Sequence, residues 1–316
     1  MNFNVLNKFL DWFTKLLVIW VLAAGVLGYF MPQAFLPIKG LSDLFFGFTM
    51  FGIGCLLSVK DFKPIFEKPK AVFLGVTAQF VIMPVLAFLI VKLLNLPPVL
   101  ALGLILAASV PDAMAAGVMS YLAEADVAFS VALTASTTLI SPIVTPGLIY
   151  LLGRQYIPIQ FLPMFKSIIM MVIIPLLAGL AVQHFFHKGV SRIKPVFPAF
   201  STLFIAFICG LVVALNRNAI AKVTIIIFAA VALLNIFGLL FGYLAGKLFR
   251  FDLKKTRTLA IGVGMQNAGM GAVLAIKHFS PEAAIPNALF ATWCILTAAV
   301  LAEIWRKSNS HPEKPV

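Results

Sequence analysis

The sequence is poor in charge. Only 11% of its 316 residues are Asp, Glu, Lys or Arg, and Asp and Glu together number 11. A soluble domain of this length needs far more charge on its water-facing surface, so a single soluble core is excluded. Cysteine is scarce as well: Cys55, Cys209 and Cys294 stand singly inside apolar runs. Without CxxC spacing they read as small buried apolar residues rather than a redox motif or a metal cage. The histidines His184, His187, His278 and His311 lie at predicted helix ends or in the tail and show no metal-ligand spacing. No transition-metal site and no organic cofactor is expected. Paired acidic motifs, a Ser/His set and a His-Glu zinc set are also missing from the apolar runs, which argues against an intramembrane enzyme. No long Ser/Gly linker or low-complexity segment occurs, apart from the short polar tail Ser308–Val316.

What the sequence has in quantity is apolar length. It is 62% hydrophobic, with a mean hydropathy of +1.05. Ten stretches, near 12–31, 41–58, 71–94, 98–121, 126–151, 162–184, 196–215, 222–247, 256–276 and 283–305, are each long enough to cross a bilayer core of about 30 Å as a helix. The first carries no convincing cleavage site and is expected to remain as a span. The predicted class is therefore an all-α integral membrane protein, one transmembrane domain with short loops.

The net charge of +13 could point to nucleic acid, but its distribution points to a bilayer. With the N-terminus inside, only Lys39, Lys92, Arg154, Lys166, Arg217, Lys222 and Lys277 fall on the outer side, 7 of the 24 lysines and arginines. The other 17 fall on the inner side. That bias predicts a plasma-membrane protein with both termini cytoplasmic, a lipid partner and no nucleic acid.

Two of the stretches differ from the rest. The fourth, LALGLILAASVPDAMAAGVMSYLA, is interrupted by Pro111, Asp112 and Gly117. Proline removes a backbone donor and pushes the residue before it out of the helical region. The ninth, TLAIGVGMQNAGMGAVLAIKHF, has Gly262, Gly264, Gly269 and Gly271 around the polar pair Gln266–Asn267. They occupy matching places, the fourth of the first five and the fourth of the second five. Paired interrupted segments in corresponding halves point to an inverted-repeat transporter, here with repeats over 1–152 and 161–306. Unwound backbone is tolerated at membrane depth only where it is buried in protein or lines a cavity. It can present helix N-termini to anions and freed carbonyls to cations.

At these residues the chain resembles the bile acid:sodium symporter family, in particular its bacterial members. The resemblance covers nearly the whole chain and rests on DFKPIFEKPKAVFLGVTAQFVIMP, VPDAMAAGVMSYLAEADVAFSVALTASTTLISPIVTP, VGMQNAGMGAVLA and ALFATW. It implies two inverted five-helix repeats, a core of spans three to five and eight to ten, and a panel of spans one, two, six and seven. Helices four and nine would cross at their breaks. It also implies transport of a small organic anion, such as a bile acid or pantoate, by alternating access with sodium. By the same resemblance Gln79, Gln266 and the backbone of Val263 and Met265 match one sodium site. Ser130 and Thr134 match the other, and Asn267 stands beside the substrate.

The chain also departs from the pattern it resembles. Gly262 stands where the family usually has a glutamate serving both sodium sites. Ala116–Gly117 replace a Ser-Asn pair, and Cys294–Ile295 replace a His-Asn pair. A hard cation needs oxygen ligands and gains strongly from a carboxylate, so these changes weaken the expected sodium coupling. Asp112–Ala113 occupy a place where the resemblance expects two glycines. An acid at mid-membrane is costly and is a functional candidate by default. Two roles are open to Asp112 from sequence alone: a coupling group, carrying a proton or holding a relocated cation, or an N-cap on the second half-helix. Asp112, Met114, Asn267 and Cys294 are the candidate substrate residues, with Na+ or H+ as the expected coupling ion. A proton-coupled or uncoupled carrier, or a paralogue that binds without transporting, are the alternatives. Glu124 and Asp126 are expected to cap the fifth span, and Glu303 to pair with Arg306 and Lys307 at the interface.

Overall fold

A computed structural model describes residues 3–220 and 225–309. Lys222, His311 and the tail beyond Asn309 lie outside the described residues. The chain is all-helical. Its α-helices are, in order, α1 Phe3–Lys15, α2 Leu17–Phe30, α3 Ser42–Leu56, α4 Lys63–Glu67, α5 Pro69–Leu93, α6 Pro98–Ser109, α7 Ala115–Leu122 and α8 Val127–Gly153. They continue with α9 Phe161–Ile168, α10 Ile174–Phe185, α11 His187–Ile193, α12 Val196–Ile220, α13 Ile225–Leu248, α14 Leu253–Gly264, α15 Ala268–His278 and α16 Ile285–Asn309.

Among the described residues, seven helical stretches are long and apolar enough to cross a bilayer. The pair α1 and α2, bent by 65° around Leu16, is an eighth when the two are taken together as one span. The fourth and ninth predicted stretches are different: each is two short helices, α6 with α7 and α14 with α15, separated by non-helical residues. Several details were not expected. Helices α4 and α11 are short surface pieces in loops. The sixth stretch carries a π-helical turn over Ile169–Ile173 between α9 and α10, and α12 runs past a kink at Asn216.

Local chemistry explains where the helices begin. Pro69 and Pro98 sit in the first turns of α5 and α6, where a missing N–H leaves nothing unsatisfied. The Asp126 carboxylate accepts the Phe129 N–H at 2.9 Å and caps α8, and Asp252 caps α14 by accepting from Lys255 N at 2.8 Å. Glu303 pairs with Arg306 at 2.7 Å and Lys307 at 3.6 Å.

The most extensively packed helix pairs are α13 with α14, α2 with α12, and α3 with α10. In the last pair the backbones touch. A Cβ on Gly54 would collide with the Leu176 carbonyl, and one on Gly179 with the Phe51 carbonyl. Small residues let membrane helices approach this closely, because apolar burial gives no drive between helices already in lipid.

Candidate functional site

The two interruptions meet. Leaving α6, Val110 is extended at φ −80°, ψ 161°, and leaving α14, Met265 is extended at φ −114°, ψ 116°. The segments pair as a short antiparallel bridge between Asp112 and Gln266. Ala113 N–H donates to the Met265 carbonyl at 3.0 Å, and Asn267 N–H donates to the Pro111 carbonyl at 2.9 Å. Each break thus satisfies backbone groups of the other, as a non-helical stretch in a membrane interior requires.

Intact neighbouring helices cap both broken ends. Thr145 of α8 donates its hydroxyl to the Ser109 carbonyl, the last of α6, at 2.8 Å. Asn235 of α13 donates to the Gly264 carbonyl, the last of α14, at 2.8 Å, and Thr297 of α16 donates to Asn235 Oδ1 at 2.6 Å. Sequence reasoning missed these three. Asn235, a lone amide in an apolar run, was the available signal.

Around the crossing lie the residues that the sequence singled out. Gln79 donates to Gln266 Oε1 at 2.9 Å, and Gln266 donates to the Val263 carbonyl at 2.9 Å. With the Met265 carbonyl taken by Ala113, the Gln266, Val263 and Met265 oxygens of this first set each accept a hydrogen bond within the protein. Gln79 Oε1 has no donor among the described residues. The second set is different. Ser130 and Asp112 are buried, at 1% and 2% exposure. The Ser130 hydroxyl and both Asp112 carboxylate oxygens have no hydrogen-bond partner among the described residues. The Thr134 hydroxyl faces the Asp112 carboxylate, outside hydrogen-bonding geometry. Asp112 does not cap α7, whose N-cap residue is Met114 and lacks a side-chain cap bond.

Gly262 explains how this carboxylate is housed. A Cβ placed there would lie 3.2 Å from Asp112 Oδ2 and 3.9 Å from Leu133 Cδ1. The acid therefore projects into the space that a side chain at position 262 would fill. An unpaired buried carboxylate is too costly to persist without a cation or a proton. The set offers hard oxygen donors, one of them a carboxylate, which is the donor chemistry that a sodium ion requires.

On the other side of the crossing is a cavity of about 270 Å³. Met114, Gln266, Asn267, Gly269, Cys294 and Ile295 are among its lining residues, and Asp112 is not. The N-termini of α7 and α15 both open toward it. Asn267 caps α15, accepting from Met270 N–H at 3.2 Å. Among the described residues no Lys, Arg, His, Asp or Glu lines the cavity.

Two interrupted helices crossing between a buried acid and a cavity, in an otherwise apolar bundle, define a membrane transporter site rather than an enzyme. Comparison with known proteins gives the family. Residues 43–223 match the model of the Sodium Bile acid symporter family. The chain is 41% identical over 289 residues to the "Uncharacterized sodium-dependent transporter YocS" of Bacillus subtilis (strain 168), covering 92% of this chain and 90% of that protein. It is 37% identical over 297 residues to the "Probable sodium/metabolite cotransporter BASS1, chloroplastic" of Arabidopsis thaliana, covering 92% of this chain and 73% of that protein. The rice protein of the BASS2 type is 30% identical over 307 residues, covering 96% and 73%. The chain belongs to the sodium bile acid symporter family and is a multi-pass membrane transporter, not an enzyme.

Proposed function

We propose that this protein carries a small organic anion across the plasma membrane by alternating access, coupled to one cation held at Asp112. The observation that carries the reading is the crossing of the two breaks. It divides an acidic, oxygen-rich side from a cavity served by helix N-termini. In this reading ten spans form two inverted repeats, over 1–152 and 161–306, with both termini cytoplasmic. Spans three to five and eight to ten form the core, and the others the panel.

Asp112, Ser130 and Thr134 hold the cation, with Gln79 Oε1 as a further donor. The family resemblance expects a glutamate at position 262. Here the glycine leaves room, and Asp112 supplies the negative charge from the facing break. The site resembles the family's in content but takes its carboxylate from the other half of the chain. Val263, Met265 and Gln266 act by shaping the crossing, since their oxygens are engaged.

The substrate lies against Met114, Asn267 and Cys294. Two helix N-termini favour a carboxylate there. A cavity just below the usual range of about 300–1,000 Å³ suits a small acid. Because Asp112 faces away from the cavity, a bound cation neutralises it and relieves its repulsion of the anion. Binding of one then favours binding of the other, which is the basis of symport.

Uptake of radiolabelled small carboxylates into proteoliposomes, under a sodium gradient, a proton gradient or neither, tests this. Uptake driven by sodium supports the reading. Uptake driven only by protons assigns Asp112 to proton carriage, a role its buried, unpartnered carboxyl also fits. Binding with no uptake under any gradient overturns transport and leaves a binding paralogue.

A further inference from the structure

The cavity beside the crossing is lined along α3 and the first part of α12. On α3 its lining runs from Phe46 to Leu56, and on α12 it includes Pro198 and Ser201, near that helix's start. Leu56, Pro198 and Ser201 lie toward the inner face in the orientation proposed above, while Phe46 lies near the other end of α3. Toward the opposite face the lining stops at Phe46, whose ring packs against Phe204 with centroids 5.4 Å apart. One turn further along α3 stands Asp43, in an ion pair with Lys277 of α15. The next residue on α15, His278, is hydrogen-bonded through Nε2 to Ser167 Oγ of α9 at 2.9 Å. Asp43–Lys277 thus ties α3 to α15, and Ser167–His278 ties α9 to α15, beyond the last cavity-lining residue of α3.

A second feature lies beside the links. The π-helical turn Ile169–Ile173 begins two residues after Ser167. Such turns interrupt the regular hydrogen-bond ladder and recur at functional sites. Gly47 packs against this region, its Cβ position 3.5 Å from Pro175 Cγ and 3.9 Å from the Met171 carbonyl. The strand of contacts from Asp43 through α3 thus reaches the hinge directly.

We propose that Asp43–Lys277 and Ser167–His278 are a latch that closes the outer end of the substrate path, and that the π turn is the hinge that lets α9 swing when it opens. The latch must break in every cycle. It rests on the carrier reading for its role in turnover, but the geometry that defines it is independent of any cargo. Its members suit a reversible contact. Asp43 and Lys277 are partly exposed, so each finds water when they separate. Each also stands at the helix end that favours its charge, Asp43 in the first turn of α3 and Lys277 in the last turn of α15.

The test is the rate at which a membrane-impermeant methanethiosulfonate labels Thr49→Cys, a cavity-lining position, applied to sealed vesicles of each orientation. Wild-type protein supplies the background from the native cysteines. From the latch side, Thr49→Cys alone is expected to label slowly. Adding Asp43→Asn or Lys277→Gln is expected to raise that rate about two- to fivefold, the scale of one weak ion pair. Ser167→Ala is expected to raise it further. The exchanged pair Asp43→Lys with Lys277→Asp restores slow labelling in part, since the pair is rebuilt but both helix-end preferences are reversed. From the cavity side the rate is expected to fall in the latch variants. Unchanged latch-side rates in all three single variants would overturn the proposal. Because labelling needs no substrate, absence of transport would count against the carrier reading and leave this result standing.

Discussion

Asp112 and Gly262 are complementary: the carboxylate of one stands 3.2 Å from where the side chain of the other would begin. Asp112 comes from one break and Gly262 from the last turn of α14 before the other, and they meet at the crossing. A residue with no side chain is what lets an acid from the facing segment sit there, buried and unpartnered.

This pairing predicts a specific epistasis. Asp112→Gly should lower cation affinity on the order of tenfold or more, because the site loses its charged ligand. Gly262→Glu alone should also harm the site, by crowding two carboxylates into one space. Asp112→Gly combined with Gly262→Glu should recover sodium dependence in a transport or thermal-shift assay. Additive damage in the double variant would show that the two positions do not share a site.

The side-chain links that hold the crossing should be measurable as stability. Asn235→Leu leaves the Gly264 carbonyl without its side-chain donor, and Gln79→Leu leaves Gln266 Oε1 without its donor. Each should cost about 1–3 kcal/mol, the penalty for orphaning a buried polar group. Thermal melting in detergent checks this, and Gln183→Leu, remote from the crossing, serves as a comparison for transport.

Substrate and cation effects should separate at Gly269. A Cβ there would lie 3.2 Å from Phe204 Cε1, so Gly269→Val narrows the cavity at the N-terminus of α15. Carboxylate affinity should fall on the order of tenfold while sodium binding changes little. Equal loss of both would place the two ligands on the same side of the crossing.

Packing between α3 and α10 gives a contrast free of function. Gly54→Leu must push the two backbones apart and should cost about 3 kcal/mol or more. Gly189→Ala meets nothing within 4 Å and should change stability by less than about 0.5 kcal/mol. Comparing the melting temperatures of the two variants decides it.

Much of this was legible in the sequence because backbone breakers leave strong local marks. Pro111 and the glycines around Gln266–Asn267 located both interruptions, and seven helical stretches among the described residues are long and apolar enough to span. Asp126 was correctly read as a cap. What the sequence left open was direction. Whether Asp112 faces the cavity or turns away depends on how the two breaks pair, a contact across more than 150 positions, and local pattern does not encode it. The α14 end capped by Asn235 and the latch between Asp43 and Lys277 are likewise long-range contacts between residues that look ordinary in their own segments. The π turn at Ile169–Ile173 has no residue signature in an unbroken apolar run.

Equilibrium binding of radioactive sodium to the purified protein, wild type beside Asp112→Asn, bears most directly on the claim that the buried acid holds the coupling cation. Asparagine keeps the size and removes the charge. Saturable binding to the wild type at one ion per chain, lost in the variant, is the predicted result. Equal binding by both proteins would contradict it.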